Sequence, residues 1–481
     1  MTAPSTAVLR QRRDAVEAAD LVELRLDSVA DPDVASALAG RKRPVIVTCR
    51  PKWEGGQFDG SEDERKRLLA DAMAFGAEYV DIEWRAHFDD LIAKSSGRGI
   101  VLSTHDFASM PDDLIERVRA MRATGAEIIK VAAKANCLSD CLPLVELGRT
   151  MGPRGLVLIA MGDFGLSTRV LAGRFRSAWT YAGGIGEVGQ VSPATLIDEY
   201  RFRTLGDSTG LYGIVGGSVA HSVSPSMHNA AFRASKIDAV YLPLPAVDAR
   251  DFVSFARVMG LKGASVTIPH KVSLFEHVNE ADAVARRIGA INTIKVNDGR
   301  LLGTNTDAAG FLQPLHDRGI SLRGLRTAIL GAGGSARAVA IALAAGGADI
   351  SVHARTRAHA EDVAKLVEGR VGPWPLPPGT WDVAINCTPI GMRPRVNESP
   401  IPPDALTGRL VYDLVYNPPA TQLLDDAAAA GLQTIGGLEM LVAQAHEQFA
   451  WWTGMRPVPG VMRMAAEKRL AEFVAHENHV S

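Results

Sequence analysis

The sequence predicts an α/β protein, a parallel (β/α)8 barrel followed by two smaller α/β units. Three observations carry this. Short β-rich apolar runs alternate with amphipathic stretches through the first 200 residues. Polar side chains gather at the C-terminal ends of those runs, the rim where barrel enzymes build active sites. A glycine-rich turn at 331–336 joins a strand-like run to an alanine-rich stretch. The length, 481 residues, independently predicts about three domains at ~150 residues each.

In order, the first runs are LVELRLD (21–27), PVIVTCR (44–50), YVDIEW (79–84), GIVLSTHDF (99–107), EIIKVAAKAN (127–136), LVLIAMGD (156–163) and WTYAGG (179–184). Helical patterns such as EDERKRLLADAMAFGA fill the gaps. Seven runs at roughly 20–30 residue spacing fit a barrel better than an open sheet. The remaining strand belongs ahead of the first helix, where only MTAPSTA stands, so either the start lies upstream of Met1 or that strand is truncated. RTLGDSTG (203–210) reads as a linker. Beyond it come LYGIVGGSV, AVYLPLPA, GASVTIPHK and AINTIKV, and from 326 RTAIL, DISVHART, WDVAINCTP and LVYDLVY. GLEMLVAQAHEQFAWWTG (437–454) has helical spacing.

Composition narrows the function classes. Fifty-two basic against 54 acidic residues give a net charge of −2, which argues against a nucleic-acid partner. No apolar run approaches the ~18–20 residues of a membrane span, and the first twenty residues lack a signal-like stretch, so a cytoplasmic protein is expected. Cys49, Cys137, Cys141 and Cys387 are too few and scattered for a disulfide framework. Cys137 and Cys141 have no neighbouring ligand pair, so no metal is expected. No obligate protein partner is inferred.

The chemistry-bearing residues are sparse. Only twelve lysines stand against forty arginines, and Lys130 interrupts the apolar run IIKVAA. An amine among apolar neighbours has a depressed pKa and can attack a ketone; the alternatives are a strand-end lysine or a buried ion pair. Lys295, by contrast, alternates with apolar residues and reads as solvated. His105 ends the preceding run, where imidazole suits proton transfer. Glu54, four residues after Arg50, either tunes that histidine or pairs with Arg50. An amine, an imidazole, a carboxylate and strand-end arginines together describe Schiff-base chemistry on an anionic carbonyl compound. Further on, Ser222 and Ser224 flank a turn before Pro225. Lys271 and Asp307 form either a proton-transfer pair or a plain ion pair. In GAGGSA, Gly331 allows the tight turn, Gly333 lets backbone approach a pyrophosphate, and Ala336 permits close helix packing. The next run ends in Arg355 rather than an acid. An arginine there fits a 2′-phosphate, which predicts NADP, with Arg357 adding charge or the pair simply solvated.

ELRLD, TCRPKWEGG, STHDF, IIKVA, AMGDFGLSTRV and GQVS together resemble type I 3-dehydroquinate dehydratase over residues 2–192. The resemblance implies that Lys130 forms an imine with the substrate ketone, His105 moves the proton, and Glu54 supports it. Glu23, Arg25, Arg50, Arg169 and Gln190 would bind substrate hydroxyls and carboxylate. Gly186 stands where that family usually carries a lid serine. Residues 211–454 resemble shikimate dehydrogenase, through the motifs above and INCTPIGM, DLVYNPPATQLL and GLEMLVAQA. That implies a Lys271/Asp307 catalytic pair. Ser222, Ser224, Thr267, Asn292, Tyr416 and Gln444 would hold substrate. Gly331, Gly333, Gly334, Ser335, Ala336, Arg355, Thr356, Arg357, Thr388, Met392 and Gly437 would line the cofactor; Ala354 replaces a common Asn.

The expected division is a dehydratase barrel at 1–205, a substrate-binding domain at 211–315, a Rossmann-type NADP domain at 316–435 and C-terminal helices at 436–481. The two activities are consecutive, dehydration of 3-dehydroquinate and then NADPH-linked reduction of 3-dehydroshikimate to shikimate. The rivals are a catabolic quinate/shikimate dehydrogenase using NAD, an active reductase with an impaired barrel, and a metabolite-sensing regulator.

Overall fold

The computed structural model describes residues 1–152 and 155–477. The chain forms two compact units, 1–209 and 210–481. The last four residues of the expected C-terminal segment lie outside the described residues.

In the first unit six parallel strands pair in chain order. They are β1 (Val22–Arg25), β2 (Val45–Thr48), β3 (Tyr79–Glu83), β4 (Ile100–Asp106), β5 (Ile128–Lys134) and β6 (Leu156–Met161). Alternation along each strand decides what the inner face holds. Ile128, Lys130 and Ala132 share a face on β5, while Ile129, Val131 and Ala133 point the other way. The register Ser103↔Lys130 and Asp81↔Val101 puts His105, Ser103, Asp81 and Glu83 on that same face. Helices cover the outer face. The one at Glu62–Ala74 is fixed at its start by a reciprocal cap. The Ser61 hydroxyl accepts from the Glu64 amide at 3.2 Å and the Glu64 carboxylate accepts from the Ser61 amide at 2.9 Å. That helix delivers Arg65 into the interior, where the side chain is fully buried.

One expected strand is not formed. Residues 179–184 are irregular, although the Ala178 amide donates to the Leu156 carbonyl at 2.7 Å beside β6. A strand needs a ladder, and the run ends in two glycines that weaken it. Met1 occupies the outer edge of β1, its backbone nitrogen donating to the Glu23 carbonyl at 2.7 Å and its carbonyl accepting from the Arg25 amide at 2.9 Å. A cleft of about 920 Å³ runs between this edge and the irregular segment, lined by Met1, Glu23, Arg25, Tyr181 and Gln190 among others.

The second unit has two six-stranded sheets. One joins β7 (Gly210–Gly216), β8 (Ala239–Pro245), β9 (Leu261–Val266), β10 (Glu280–Ala281), β11 (Thr293–Asn297) and β12 (Arg300–Thr304), in the order β10-β12-β11-β9-β7-β8. The β11–β12 hairpin turns on Asp298 and Gly299, both at positive φ (47° and 75°), the primed geometry that Asp-Gly favours. The other sheet is all parallel and joins β13 (Arg326–Leu330), β14 (Asp349–His353), β15 (Arg370–Val371), β16 (Val383–Asn386), β17 (Leu410–Asp413) and β18 (Gln433–Ile435), in the order β15-β14-β13-β16-β17-β18. Its strand order reverses between β13 and β16, the crevice where doubly wound sheets bind ligands. The helix Gly437–Thr453 returns to the first of these sheets. There the Trp452 indole donates to the Ile294 carbonyl at 2.9 Å, and Gln448 donates to the Asn292 carbonyl at 3.1 Å. No helix among the described residues is long and apolar enough to cross a membrane.

Candidate active sites

The barrel site is built on the inner face. Lys130 is 5% exposed, so its charge is held by partners. Its Nζ lies 3.0 Å from Asp81 Oδ2, 3.9 Å from Glu23 Oε1 and 4.6 Å from the centre of the Tyr181 ring. Burial alone would lower this amine, but Asp81, Tyr181 and Glu23 outweigh it, and the net direction is upward. This corrects the depressed pKa expected from the apolar sequence neighbours. Those neighbours along β5 point alternately away; the groups that face the amine come from β3, β1 and the segment after β6. Asp81 shows the reciprocal effect. Burial would raise its carboxyl, yet Arg50 and Lys130 hold it well below the usual range.

Arg50 is the hub of this charge cluster. It donates to Glu83 at 2.7 Å and to Ser103 at 2.8 Å, and pairs with Asp81 at 3.0 Å. Glu83 is braced from behind by Arg65, whose guanidinium also pairs with Glu62 and sits 4.8 Å over the Phe88 ring. Glu54 therefore does not pair with Arg50 but with His105. Its Oε1 accepts the His105 amide at 2.9 Å and lies 3.2 Å from the ring Nδ1. Burial pushes Glu54 up to about 7, against the pull of Arg50. Burial, then Arg50 and Lys130, hold His105 well below its ordinary value, so the imidazole is neutral. With Nδ1–H assigned toward Glu54, the lone pair is on Nε2.

The remaining expected residues fall into two groups. Glu23 joins the cluster, accepting from Thr48 at 2.8 Å. Arg169 is buried and donates only to the Tyr181 and Val188 carbonyls, at 3.4 and 2.6 Å; among the described residues it has no carboxylate partner. Burial lowers it to about 10, which marks a guanidinium lacking an anion. Arg25 is instead engaged in a two-pronged pair with Asp27, at 2.8 and 2.7 Å. Gln190 folds back on its own loop, accepting the Ile185 amide at 3.3 Å.

In the second unit Lys271 Nζ stands 2.5 Å from Asp307 Oδ2. Asn292 donates to the other carboxylate oxygen at 2.7 Å and to Thr306 at 2.9 Å, and its amide lies 3.3 Å from Gln444 Oε1. Lys271 also reaches Ser335 of the glycine-rich turn at 3.3 Å, so the pair and the turn form one locale. The Ser224 amide donates to the Ser222 hydroxyl at 3.2 Å, and Tyr416 lies against Ser222. Thr267 follows β9, its amide bound to the Val215 carbonyl at 2.9 Å. Lys295 is a correction: it is half-buried, and donates to the Trp451 carbonyl at 2.9 Å.

The turn fits a dinucleotide. Gly331 has φ +105°, and a Cβ there would meet Thr388 at 3.1 Å and the Cys387 backbone at 3.2 Å. Around Gly333 a Cβ would meet nothing within 4 Å, leaving room in front of the helix Gly334–Ala345, whose N-terminal amides suit phosphate. Ala336 is fully buried in the sheet–helix interface. Arg355 and Thr356 are exposed just beyond β14. Arg357 is exposed as well and pairs with Glu361 at 3.0 Å. Thr388 donates to Asn386 at 2.7 Å, Met392 is 41% exposed, and Gly437 approaches the Leu414 carbonyl so closely that a Cβ would sit 2.4 Å away.

Asp81, Glu83, Arg65, Ser103 and Tyr181 were not singled out by sequence reading. Two acids two apart inside YVDIEW were the available signal, since a buried strand places both on one face.

The fold and the sites define a class, an α/β enzyme joining a lysine-centred barrel to a dinucleotide-linked reductase. A model described as type I 3-dehydroquinase matches residues 1–207. Models for the shikimate dehydrogenase substrate binding domain and the shikimate 5'-dehydrogenase C-terminal domain match 214–294 and 437–467. The chain is 34% identical over 475 residues to the chloroplastic bifunctional 3-dehydroquinate dehydratase/shikimate dehydrogenase of Arabidopsis thaliana, covering 92% of this chain and 78% of that one. It is 42% identical over 270 residues to the NADP(+) shikimate dehydrogenase of Moorella thermoacetica, covering 53% of this chain and 92% of that one. A solved shikimate dehydrogenase in complex with NADP+ superposes with a TM-score of 0.53 at 35% identity, covering 56% and 98%. The Thermus thermophilus enzyme in complex with NADP(H) and shikimate gives 0.51 at 34%, covering 54% and 99%. The chain belongs to the bifunctional 3-dehydroquinate dehydratase/shikimate dehydrogenase family.

Proposed function

We propose that the first unit dehydrates 3-dehydroquinate through an imine on Lys130 and that the second reduces 3-dehydroshikimate to shikimate. The observation that carries the reading is the buried Lys130 amine, 3.0 Å from Asp81, on the same face of the sheet as a neutral imidazole. The amine attacks the ketone after giving up its proton within the Asp81–Glu23 cluster. His105, with its lone pair on Nε2, takes the proton next to the iminium carbon and returns it to the departing hydroxyl. Glu54 fixes the ring. Arg169, buried without an acid, takes the substrate carboxylate. Glu23, Arg25, Arg50 and Gln190 surround the hydroxyls, which requires Gln190 to leave its loop contact and Arg25 to share Asp27.

In the second unit Lys271 and Asp307 exchange the proton at the substrate oxygen, with Asn292 holding the carboxylate in place. Ser222, Ser224, Thr267, Tyr416 and Gln444 bind the substrate's carboxylate and hydroxyls. NADP, when bound, supplies the hydride. Gly331, Gly333, Gly334, Ser335 and Ala336 cradle its phosphates, Arg355, Thr356 and Arg357 hold the 2′-phosphate, and Thr388, Met392 and Gly437 line the nicotinamide end. This reading divides the second unit into a substrate lobe at 211–315, a nucleotide lobe at 316–435 and helices from 436. It also takes the chain as cytoplasmic, in keeping with four free thiols.

A coupled assay tests the whole. 3-Dehydroquinate plus NADPH is expected to consume reduced cofactor. Consumption with 3-dehydroshikimate but not with 3-dehydroquinate would instead support a reductase with an impaired barrel.

A further inference from the structure

The irregular segment after β6 brings one aromatic ring into the charged interior. Tyr181 is anchored through its carbonyl, which accepts from Arg169 at 3.4 Å. The centre of its ring lies 4.6 Å from Lys130 Nζ, within the range of cation–π attraction. No other aromatic ring among the described residues is recorded over this amine. We infer that Tyr181 is a further catalytic residue of the dehydratase step, its ring holding the positive charge that stays on the Lys130 nitrogen when the imine forms. The inference rests on the imine reading above.

The chemistry explains why a ring is useful there. The ammonium and the ketone combine to give a protonated imine and water: the C–N double bond replaces the C–O double bond, and the oxygen leaves with two of the three ammonium protons. The nitrogen remains cationic but falls from three N–H donors to one. It therefore has one N–H left to give, which Asp81 at 3.0 Å can take, while Glu23 at 3.9 Å is left with no N–H that could turn toward it. A ring face needs no N–H. Its attraction depends on the charge alone and survives the change in geometry. It also favours the protonated imine over the neutral one, and only the protonated form draws electrons from the adjacent C–H bond. The role belongs to the ring face and not to the hydroxyl, a division that Y181F separates experimentally.

The test is borohydride trapping with 3-dehydroquinate, read by intact mass and as a rate against pH, in the full chain and in Y181F, Y181W and Y181L. Wild type is expected to gain the adduct. Y181F and Y181W are expected to trap within about twofold of wild type. Y181L is expected to trap about tenfold more slowly at neutral pH, with its alkaline limb moved to lower pH by about one unit, as loss of a desolvated cation–π contact requires. An unshifted thermal transition of the first unit in each variant shows that the barrel is folded, unchanged reductase turnover shows the same of the second unit, and recovery in Y181W shows that the loss in Y181L is not a packing defect. Equal trapping and an unmoved limb in Y181L, or equal loss in Y181F and Y181L, would overturn the inference. Absence of any adduct in wild type would overturn the imine reading itself.

Discussion

Both halves of the molecule centre on a lysine–aspartate pair, and the two pairs are built differently. Lys130 and Asp81 sit 3.0 Å apart inside a cluster that also contains Arg50, Glu83, Glu23 and Tyr181. Lys271 and Asp307 sit 2.5 Å apart with neutral neighbours, Asn292 and Ser335. In the first, surrounding charges set the protonation of the amine and of the histidine. In the second, neutral amide and hydroxyl groups fix the geometry of the pair. On the function proposed above, the same kind of ion pair supplies a nucleophile in one unit and a proton-transfer pair in the other, and the residues around it make the difference.

Removing the amine should separate the halves most sharply. K130M is expected to drop dehydration by about 10³-fold or more while reduction of 3-dehydroshikimate stays within about twofold. Dehydration assayed by product absorbance with appreciable turnover remaining would mean that the amine is not the nucleophile. D307N is the mirror experiment, expected to slow the reductase kcat by roughly 10²-fold with the dehydratase unaffected. Near-normal turnover would reduce Lys271–Asp307 to a structural ion pair. The smallest expected effect is in the pH profile. Glu54 is raised to about 7, so in the native enzyme it loses its negative charge as pH falls through that value, and its support of the His105 Nδ1–H weakens below it. Dehydration should therefore fall on the acid side of 7. In E54Q, which cannot titrate, that limb should flatten and the plateau fall about tenfold. An acid limb unchanged in E54Q would assign it to another group.

What the sequence made legible follows from how far apart the interacting residues lie. Arg50 and His105 do stand at or just past strand ends as the sequence suggests, whereas Glu23 and Lys130 lie within β1 and β5; the shared inward face of His105 and Lys130 was readable because alternation is local. The glycine turn was readable because strand, turn and helix are contiguous. The direction of the Lys130 pKa was not, because its partner Asp81 is 49 residues away and reaches it only once the strands pair. The run at 179–184 has strand-like residues but no sequence signal for whether a ladder partner exists. Arg65 reads as one more polar residue on an amphipathic helix; only the fold reveals that it enters the interior to brace Glu83.

The position of Met1 has a practical side. Its backbone nitrogen is bonded to the Glu23 carbonyl, at the mouth of the 920 Å³ cleft that Glu23, Arg25 and Tyr181 line. A molecule bound in this cleft would press on the flank of β1 and on the ring that faces Lys130 together, which makes the cleft a route to blocking the first unit's chemistry by occupation, away from the Lys271–Asp307 site.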